Sequence, residues 1–231
     1  MLTLMKTRTS ILSPVKKSSL FRMEIFQGIP FDKLQEIEKQ LVERKYAKRE
    51  TLFQEEEPAD HIWFVKQGYV KEVNHSINGK IQTISMVGAD GLFGISAFGG
   101  GSYGFHCIAE TAVTVISIPI RAFWILIAQN PEKAGLVLSK ISKLLRQTRI
   151  RQTLSQDCAE KRLLHVVFEL AEEFGNTIPM THREIASMAG TTSETCSRAF
   201  SRWKSAGLVT ANHGRFTLKN LNNLKTRFKI I

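Results

Sequence analysis

The chain has 231 residues, of which 43% are hydrophobic, and a formal net charge of +11. It has no run of 18 apolar residues, which argues against a transmembrane helix, and its N-terminal segment lacks the continuous apolar stretch of a signal peptide. Three widely spaced cysteines exclude a disulfide framework, so a cytoplasmic protein of two domains is expected.

Charge is distributed unevenly along the chain. The net charge is +5 over residues 1–50, −3 over residues 51–130, +3 over residues 131–160 and +6 over residues 161–231. A mildly acidic middle between basic ends is typical of a nucleic-acid-binding module joined to a module with another task. The alternative is a basic surface that faces only solvent.

Residues 1–19 are treated as an N-terminal extension, after which a helix and then a β region are predicted. Leu34, Ile37, Leu41 and Val42 recur at helical spacing. From residue 46 to residue 118, short apolar runs alternate with turns, among them residues 77–80 and 88–91, which predicts an all-β sandwich or barrel. Its expected core is Phe53, Trp63, Val65, Val70, Val73, Ile84, Met86, Ile108, Val113, Val115 and Ile118.

Two helices are predicted after the β region: a short one that ends before Pro131, and a long one over residues 132–155. Apolar residues at three-four spacing on the long helix predict pairing with a partner helix. They are Val137, Ile141, Leu144, Leu145 and Thr148. The alternative is a helix packed on its own β domain. The expected domains are a β domain (20–131), the long helix (132–156) and a C-terminal domain (157–231).

The C-terminal domain has the pattern of a helix-turn-helix followed by a hairpin. Capping boxes are predicted at Asp157 with Glu160 and at Thr181 with Glu184, and Gly190 separates the last two helices. Thr192 or Ser193 is expected to cap the second of these, with Cys196, Ala199, Phe200 and Trp203 on its buried side. Residues 209–211 and 215–218 around a turn at 212–214 predict a wing, and Asn220 is expected to cap a last helical turn.

The exposed face of the second helix carries Glu194, Ser197 and Arg198, which are neighbours on a helix surface. An intrahelical salt bridge alone would explain this spacing. In a helix-turn-helix, however, this face meets base edges in the major groove. Arg can donate two hydrogen bonds to guanine, and a carboxylate can accept one from cytosine. We therefore predict base contacts by these three residues and by Ser193.

The stretch THREIASMAGTTSETCSRAFSRWKSAGLV, with weaker support from FVKQGYVKEV and GLFGI, resembles the Crp/Fnr family of bacterial transcription regulators, and the likeness covers residues 20–225. The E-x-x-S-R arrangement is similar to the Fnr type, whereas the cyclic-AMP receptor type has Arg at the position of Ser193. The resemblance implies an α+β fold, with a cyclic-nucleotide-binding-like β-roll, a dimerisation helix and a winged helix-turn-helix. It also implies a homodimer on a palindrome close to TTGAT-N4-ATCAA, with RNA polymerase as a further partner.

Other residues near the predicted interface are expected to hold phosphates, which positions a protein without reading sequence. They are Thr181, His182, Thr191, Thr192, Arg202 and Arg215. An exposed His182 without a DNA contact is an equal alternative. Two half-sites one helical turn apart require a two-fold dimer, which the long helix would supply.

The resemblance also frames the candidate effector site. In cyclic-nucleotide-binding members of the family, a Glu after the glycine holds the ribose and an Arg-Ser pair holds the phosphate. Here Gly94 is followed by Ile95 and Ser96, and Tyr103 stands where the Arg would. Because residues 81–120 contain no basic residue, a buried phosphate would lack a cation, and a cyclic nucleotide is not expected.

No iron–sulfur cluster is expected, since such a cluster needs four thiolates and the sensor offers only Cys107. Haem stays open because haem-binding relatives exist and a histidine can be the axial ligand. Candidate ligands are His106, His75 and His61. A colourless metabolite, a thiol switch at Cys107 or Cys158, and no effector are the alternatives.

Two further classes of function are considered. The three sensor histidines could belong to a cupin-like metal enzyme, but no H-x-H spacing appears and an enzyme would not need a winged helix, so no catalytic residue is predicted. A DNA-binding protein without an effector would show ligand-independent affinity with a strong salt dependence.

Overall fold

The computed structural model describes residues 11–14, 20, 23–75, 81–212 and 215–219. Over these residues the chain forms two compact units, Met1–Asn74 with Ser85–Lys140 and His75–Ile84 with Ile141–Ile231. The predicted turn at 77–80, the tip of the wing at 213–214 and Asn220 lie outside the described residues.

The first unit is a β-roll of two sheets. One sheet has the strand order β1-β2-β9-β4-β7 and the other the order β3-β8-β5-β6. The strands are β1 Ile11–Pro14, β2 Val42–Tyr46, β3 Thr51–Phe53, β4 His61–Gln67, β5 Val70–His75, β6 Ile81–Val87, β7 Leu92–Phe93, β8 His106–Ala109 and β9 Val113–Pro119. The β fold predicted from the sequence is thereby confirmed.

The core of the roll is aromatic and lies between the two sheets. The ring of Phe53 stacks on Tyr103 at 3.8 Å between centroids and lies 6.0 Å from Trp63. Most of the expected core is buried, but Ile84 and Ile108 are only half-buried. On β8 the side chains of Cys107 and Ala109 are buried. Ile108, which we predicted to be in the core, lies between them and therefore on the other face of the strand.

The first unit also contains α1 Phe31–Glu38, α2 Ile120–Gln129 and the start of α3 Glu132–Thr153, which continues into the second unit and is followed by a 3-10 turn at Leu154–Gln156. Further 3-10 turns lie at Glu24–Phe26 and Ile95–Phe98. The first helix was predicted to reach Val42, which is wrong. Val42 begins β2 and pairs with Ser117 of β9, since an edge for strand pairing outweighs a short helical pattern.

The second unit contains α4 Ala159–Phe174, α5 His182–Met188 and α6 Ser193–Ser205. Strands β10 Thr177–Ile178, β11 Val209–Asn212 and β12 Arg215–Leu218 form a sheet in the order β10-β12-β11. The helix-turn-helix and the two-stranded wing are confirmed. The third strand, β10, had no sequence signal because only two residues pair.

The predicted capping box at Asp157 does not form. Cys158 is the N-cap of α4, without a side-chain hydrogen bond, and Asp157 accepts instead from Lys161 at 3.0 Å. The carboxylate of Glu160 is not available as a cap partner because it binds Trp203 Nε1 at 3.0 Å and Arg202 at 2.9 Å. A tertiary contact to α6 has replaced the local one. Across the described residues, no helix is long and apolar enough to span a membrane.

Candidate nucleic-acid interface and sensor site

The buried side of α6 fixes the orientation of its outer face. Cys196, Ala199, Phe200 and Trp203 are all buried, and the ring of Phe200 lies 4.8 Å from both Trp203 and Phe216 of the wing. Helix geometry then directs the residues between them outward. The predicted inward face is therefore confirmed, and the recognition face follows from it.

Arg162 of α4 holds the turn between α5 and α6. Its guanidinium donates to the carbonyl oxygens of Ala189 at 2.8 Å, Gly190 at 3.1 Å and Asp157 at 2.6 Å. The carbonyls of Ala189 and Gly190 follow the end of α5, where helix geometry leaves acceptors unpaired, and that of Asp157 precedes α4. The sequence offered no signal for this role, because an arginine near the start of an amphipathic helix is normally a solvent-facing residue.

The outer face of α6 presents Ser193, Glu194 and Arg198, all of them exposed. Arg198 Nη2 lies 3.6 Å from Glu194 Oε1, and the two side chains are 66% and 78% exposed. A pair this exposed contributes only about 0.3–0.5 kcal/mol. Both side chains can therefore exchange this contact for contacts to a ligand at little cost.

Ser197 is half-buried and is held by a residue of the preceding helix. Its hydroxyl oxygen lies 3.1 Å from His182 Nδ1, and the His182 ring packs on Phe200 with centroids 4.7 Å apart. Burial lowers the pKa of His182 below its usual value. The prediction of a solvent-facing or phosphate-bound His182 is thus incomplete, since one ring nitrogen points to the recognition helix.

Several predicted phosphate contacts have structural tasks in the free protein. Thr181 forms the predicted capping box with Glu184, and Thr192 rather than Ser193 caps α6 by accepting from Thr195 N at 3.1 Å. Arg202 is paired with Glu160, and Thr191 is half-buried. Arg215 on the wing is exposed, as is Arg183 on α5, a cation that we did not single out from the sequence.

The residues predicted to form a dimer stripe on α3 differ in their exposure. Val137 is only 8% exposed within its own chain, so it is not available to a partner, whereas Leu138 is 62% and Leu145 is 54% exposed. Ile141 is half-buried, Leu144 is also half-buried and Thr148 is exposed. Leu138, Ile141, Leu145 and Thr148 follow a three-four-three spacing, which is the spacing that pairing with a partner helix would require.

Tyr103, which the resemblance places where a phosphate-binding arginine would stand, belongs to an aromatic network in the roll. Tyr103 is buried. Its hydroxyl accepts a hydrogen bond from Trp63 Nε1 at 2.9 Å and donates one to the carbonyl oxygen of His61 at 3.0 Å. Burial raises the pKa of Tyr103, although both hydrogen bonds act in the opposite direction. The hydroxyl stays neutral and offers no cation to a phosphate.

A buried carboxyl group lies in the same roll near Gly94. Glu72 of β5 accepts hydrogen bonds from the hydroxyl of Ser85 and from the backbone of Gly94, and burial raises its pKa against those two contacts. Cys107 stands opposite Glu72 in the β5–β8 register. Burial, with the charge of Glu72, raises the pKa of the Cys107 thiol well above its usual value. This environment does not generate a reactive thiolate.

Arg44 is a cation of the β-roll that lies outside residues 81–120. The guanidinium of Arg44 on β2 lies 5.5 Å from the centroid of the Trp63 ring. Its Nε is buried without a hydrogen-bond partner. We expected a buried phosphate to lack a cation because residues 81–120 contain no basic residue. Arg44 lies outside that segment and argues against this expectation.

The three candidate haem ligands differ in their surroundings. His106 Nδ1 accepts from Glu55 N at 3.4 Å and its Nε2 lies 3.5 Å from the Glu55 carboxylate. His75 is exposed. His61 Nδ1 lies 2.6 Å from Asp60, the arrangement in which a carboxylate orients a ligating imidazole. Within the described residues, no three His, Cys, Asp or Glu side chains cluster as metal ligands.

Comparisons with known proteins match both units. Residues 43–130 match the family described as cyclic nucleotide-binding domain, and residues 161–227 match the Crp-like helix-turn-helix domain. The chain is a transcription regulator of the Crp/Fnr type. Its helix-turn-helix domain binds DNA, and the matched domains and relatives are those of regulators rather than enzymes.

Relatives of this Crp/Fnr-type regulator align over most of its length. It is 26% identical to the CRP-like cAMP-activated global transcriptional regulator of Mycobacterium tuberculosis, over 82% of this chain and 89% of that protein. It is 24% identical to the global nitrogen regulator of Synechococcus elongatus, over 80% and 88%. Among solved structures, FixK2 from Bradyrhizobium japonicum has a TM-score of 0.72 at 21% identity, over 80% of this chain and 96% of that one, which supports the fold.

Proposed function

We propose that this regulator binds, as a homodimer, a palindrome close to TTGAT-N4-ATCAA through the outer face of α6. The observation that carries the proposal is the exposure of Glu194 and Arg198 on a helix whose opposite face is buried. Arg198 can donate two hydrogen bonds to the guanine, and Glu194 can accept from a cytosine amino group. Ser193 lies at the start of the same face, and Arg183 and Arg215 supply exposed charge for phosphates.

The dimer is proposed to form along the seam Leu138, Ile141, Leu145 and Thr148 of α3. Two of these side chains are large, apolar and more than half exposed in the single chain, which is costly unless a partner covers them. Regulators of this type are dimers, and a two-fold axis along the seam would place two recognition helices on two half-sites.

The regulator is proposed to respond to a signal sensed in the β-roll, in the region of Gly94, Ile95, Ser96, Tyr103 and Cys107. Ile95 follows the glycine and Tyr103 replaces the arginine of the cyclic-nucleotide type. A relative carries the description cAMP-activated, but the aromatic network at Tyr103 argues against the same phosphate contact here. A small molecule other than a cyclic nucleotide, or haem at His61, remains the proposed signal, and RNA polymerase is the proposed partner at the promoter.

Binding of the palindrome to single-site variants tests the base contacts. Arg198→Ala and Glu194→Ala should each weaken binding by about 1–3 kcal/mol per half-site and should relax the preference at one base pair. Lys204→Ala is the matched control, because Lys204 is exposed on the C-terminal part of the same helix. It should leave every base preference unchanged. Unchanged affinity and preference in both α6 variants would remove the base-contact assignment.

The dimer is tested separately by sedimentation. Leu145→Lys should shift the protein towards monomers, because a charge would face the partner in an apolar seam, and should weaken binding to the full palindrome. Ser142→Lys adds the same charge at an exposed position of α3 outside the seam and should leave the dimer intact. Equal sedimentation of both variants as dimers would place the interface elsewhere.

A further inference from the structure

We propose that His182 is a positioning residue that fixes the hydroxyl of Ser197 as a hydrogen-bond acceptor, so that Ser197 reads an amino group, adenine N6 or cytosine N4. This inference rests on the proposed base contact by Ser197. It adds a second residue to base reading, one that lies on α5 and need not touch a base itself.

The geometry couples the two residues. His182 begins α5, directly after its N-cap Thr181, and its Nδ1 lies 3.1 Å from Ser197 Oγ on α6. The imidazole ring packs on Phe200, which is itself buried against Trp203 and Phe216. Ser197 lies three residues, about one helical turn, before the buried Phe200. The His182 ring is therefore held where it can set the direction of the Ser197 hydroxyl.

The count of hydrogens decides what Ser197 can do. A serine hydroxyl has one hydrogen to donate and two lone pairs, and a neutral imidazole carries a hydrogen on one nitrogen only. A DNA phosphate offers acceptors alone, so a phosphate beside Nε2 requires the hydrogen at Nε2. Nδ1 is then an acceptor, and Ser197 gives it its only hydrogen. The lone pairs of Ser197 remain for the base.

The ring must be neutral for this count to hold. Burial lowers the pKa of His182 and is the sole cause of that shift, so no charged neighbour contributes to it. The charged side chains on α5, α6 and β12 are Arg183, Glu184, Glu194, Arg198, Arg202, Lys204 and Arg215. Burial therefore favours the uncharged form of the imidazole.

Base preference follows from the lone pairs. A Ser197 that can only accept matches the amino hydrogens of adenine N6 or cytosine N4, whereas guanine O6 and thymine O4 would place two acceptors against each other. We expect roughly 5- to 150-fold discrimination at this position. A free serine hydroxyl, in contrast, can turn to either kind of group and would discriminate weakly.

Two variants of His182 separate the hydrogen bond from the packing. His182→Phe keeps a ring on Phe200 but has no nitrogen, so Ser197 is released and its preference should fall to a few-fold. His182→Asn places a carbonyl oxygen about where Nδ1 lies and can accept the same hydrogen, so the preference should be retained. Binding is measured to a panel of palindromes with each base at every half-site position, and circular dichroism confirms that each variant is folded.

Ser197→Ala identifies the position that Ser197 reads, and the double variant with His182→Phe should show no further change there. At pH below the lowered pKa of His182, a protonated Nδ1 donates to Ser197, whose own hydrogen becomes free. The preference of the unmodified protein should then shift towards guanine or thymine, while His182→Asn stays constant.

A His182→Phe variant that keeps the full preference at the Ser197 position would overturn the inference. So would a Ser197→Ala variant that changes no position while Arg198→Ala does, and in that case the proposed function would still stand. If no α6 variant changes any preference, the proposed function itself fails.

Discussion

The hydroxyl of Tyr103 should contribute measurably to the stability of the β-roll, because it satisfies two groups of β4 at once. It accepts from the buried Trp63 Nε1 at 2.9 Å and donates to the carbonyl of His61 at 3.0 Å. Tyr103→Phe keeps the ring that stacks on Phe53 but removes both hydrogen bonds.

The expected cost follows from these two losses. A buried donor left without a partner costs about 1–3 kcal/mol, and the second hydrogen bond contributes about 1 kcal/mol, so roughly 2–4 kcal/mol is expected. Urea-induced unfolding gives the free energy, and hydrogen exchange of β4 amides assigns the loss to the first unit. Since Trp63→Phe removes the orphaned N–H, the double variant should be less destabilised than the sum by about 1–2 kcal/mol.

Additive effects within about 0.5 kcal/mol would show that the two side chains do not interact. A cost of Tyr103→Phe below about 0.5 kcal/mol would refute the argument altogether, because it would mean that the indole N–H has another partner. Either result would also argue against a rigid network of Tyr103 and Trp63 at the position where the arginine was expected.

Three other residues give direct tests. Gly94→Ala should destabilise the roll by about 2–4 kcal/mol in urea unfolding, because Gly94 has a φ of +72° and a Cβ would lie 2.7 Å from Trp63 Cδ1; a wild-type midpoint would contradict this. In protein supplied with haem, any Soret band should vanish in His61→Ala and persist in His106→Ala, and a featureless spectrum of the unmodified protein would remove haem. Thr181→Ala should cost about 1 kcal/mol in thermal unfolding by loss of the capping box, whereas Thr181→Ser should be nearly neutral; equal melting of both would show that the cap contributes nothing.

A local sequence pattern such as a capping box predicted the structure where its residues do not form a tertiary contact instead. Thr181 and Glu184 form the capping box that their spacing predicts. Asp157 and Glu160 have the same spacing, but Glu160 binds Trp203 and Arg202 instead. Sequence spacing states which contacts are within reach, and the tertiary structure decides which of them are made.

The recognition face of α6 could be predicted because one helix carries both its buried and its exposed side. The contact of His182 with Ser197 could not, since the two residues lie on different helices and their approach depends on how Phe200 packs. Arg44 was missed for a similar reason. It belongs to β2, and only the order β2-β9-β4 within one sheet brings it over Trp63.

The two units therefore differ in how far sequence can determine their function. The DNA-binding unit meets one kind of ligand with a fixed pattern of donors and acceptors in the major groove, so Glu194 and Arg198 on an exposed helix face have a defined chemical meaning. The β-roll keeps its fold while single residues inside it change, since Tyr103 can replace a cation and pack against Phe53 and Trp63. A shared fold does not carry a shared ligand, so the fold of the β-roll assigns it no effector.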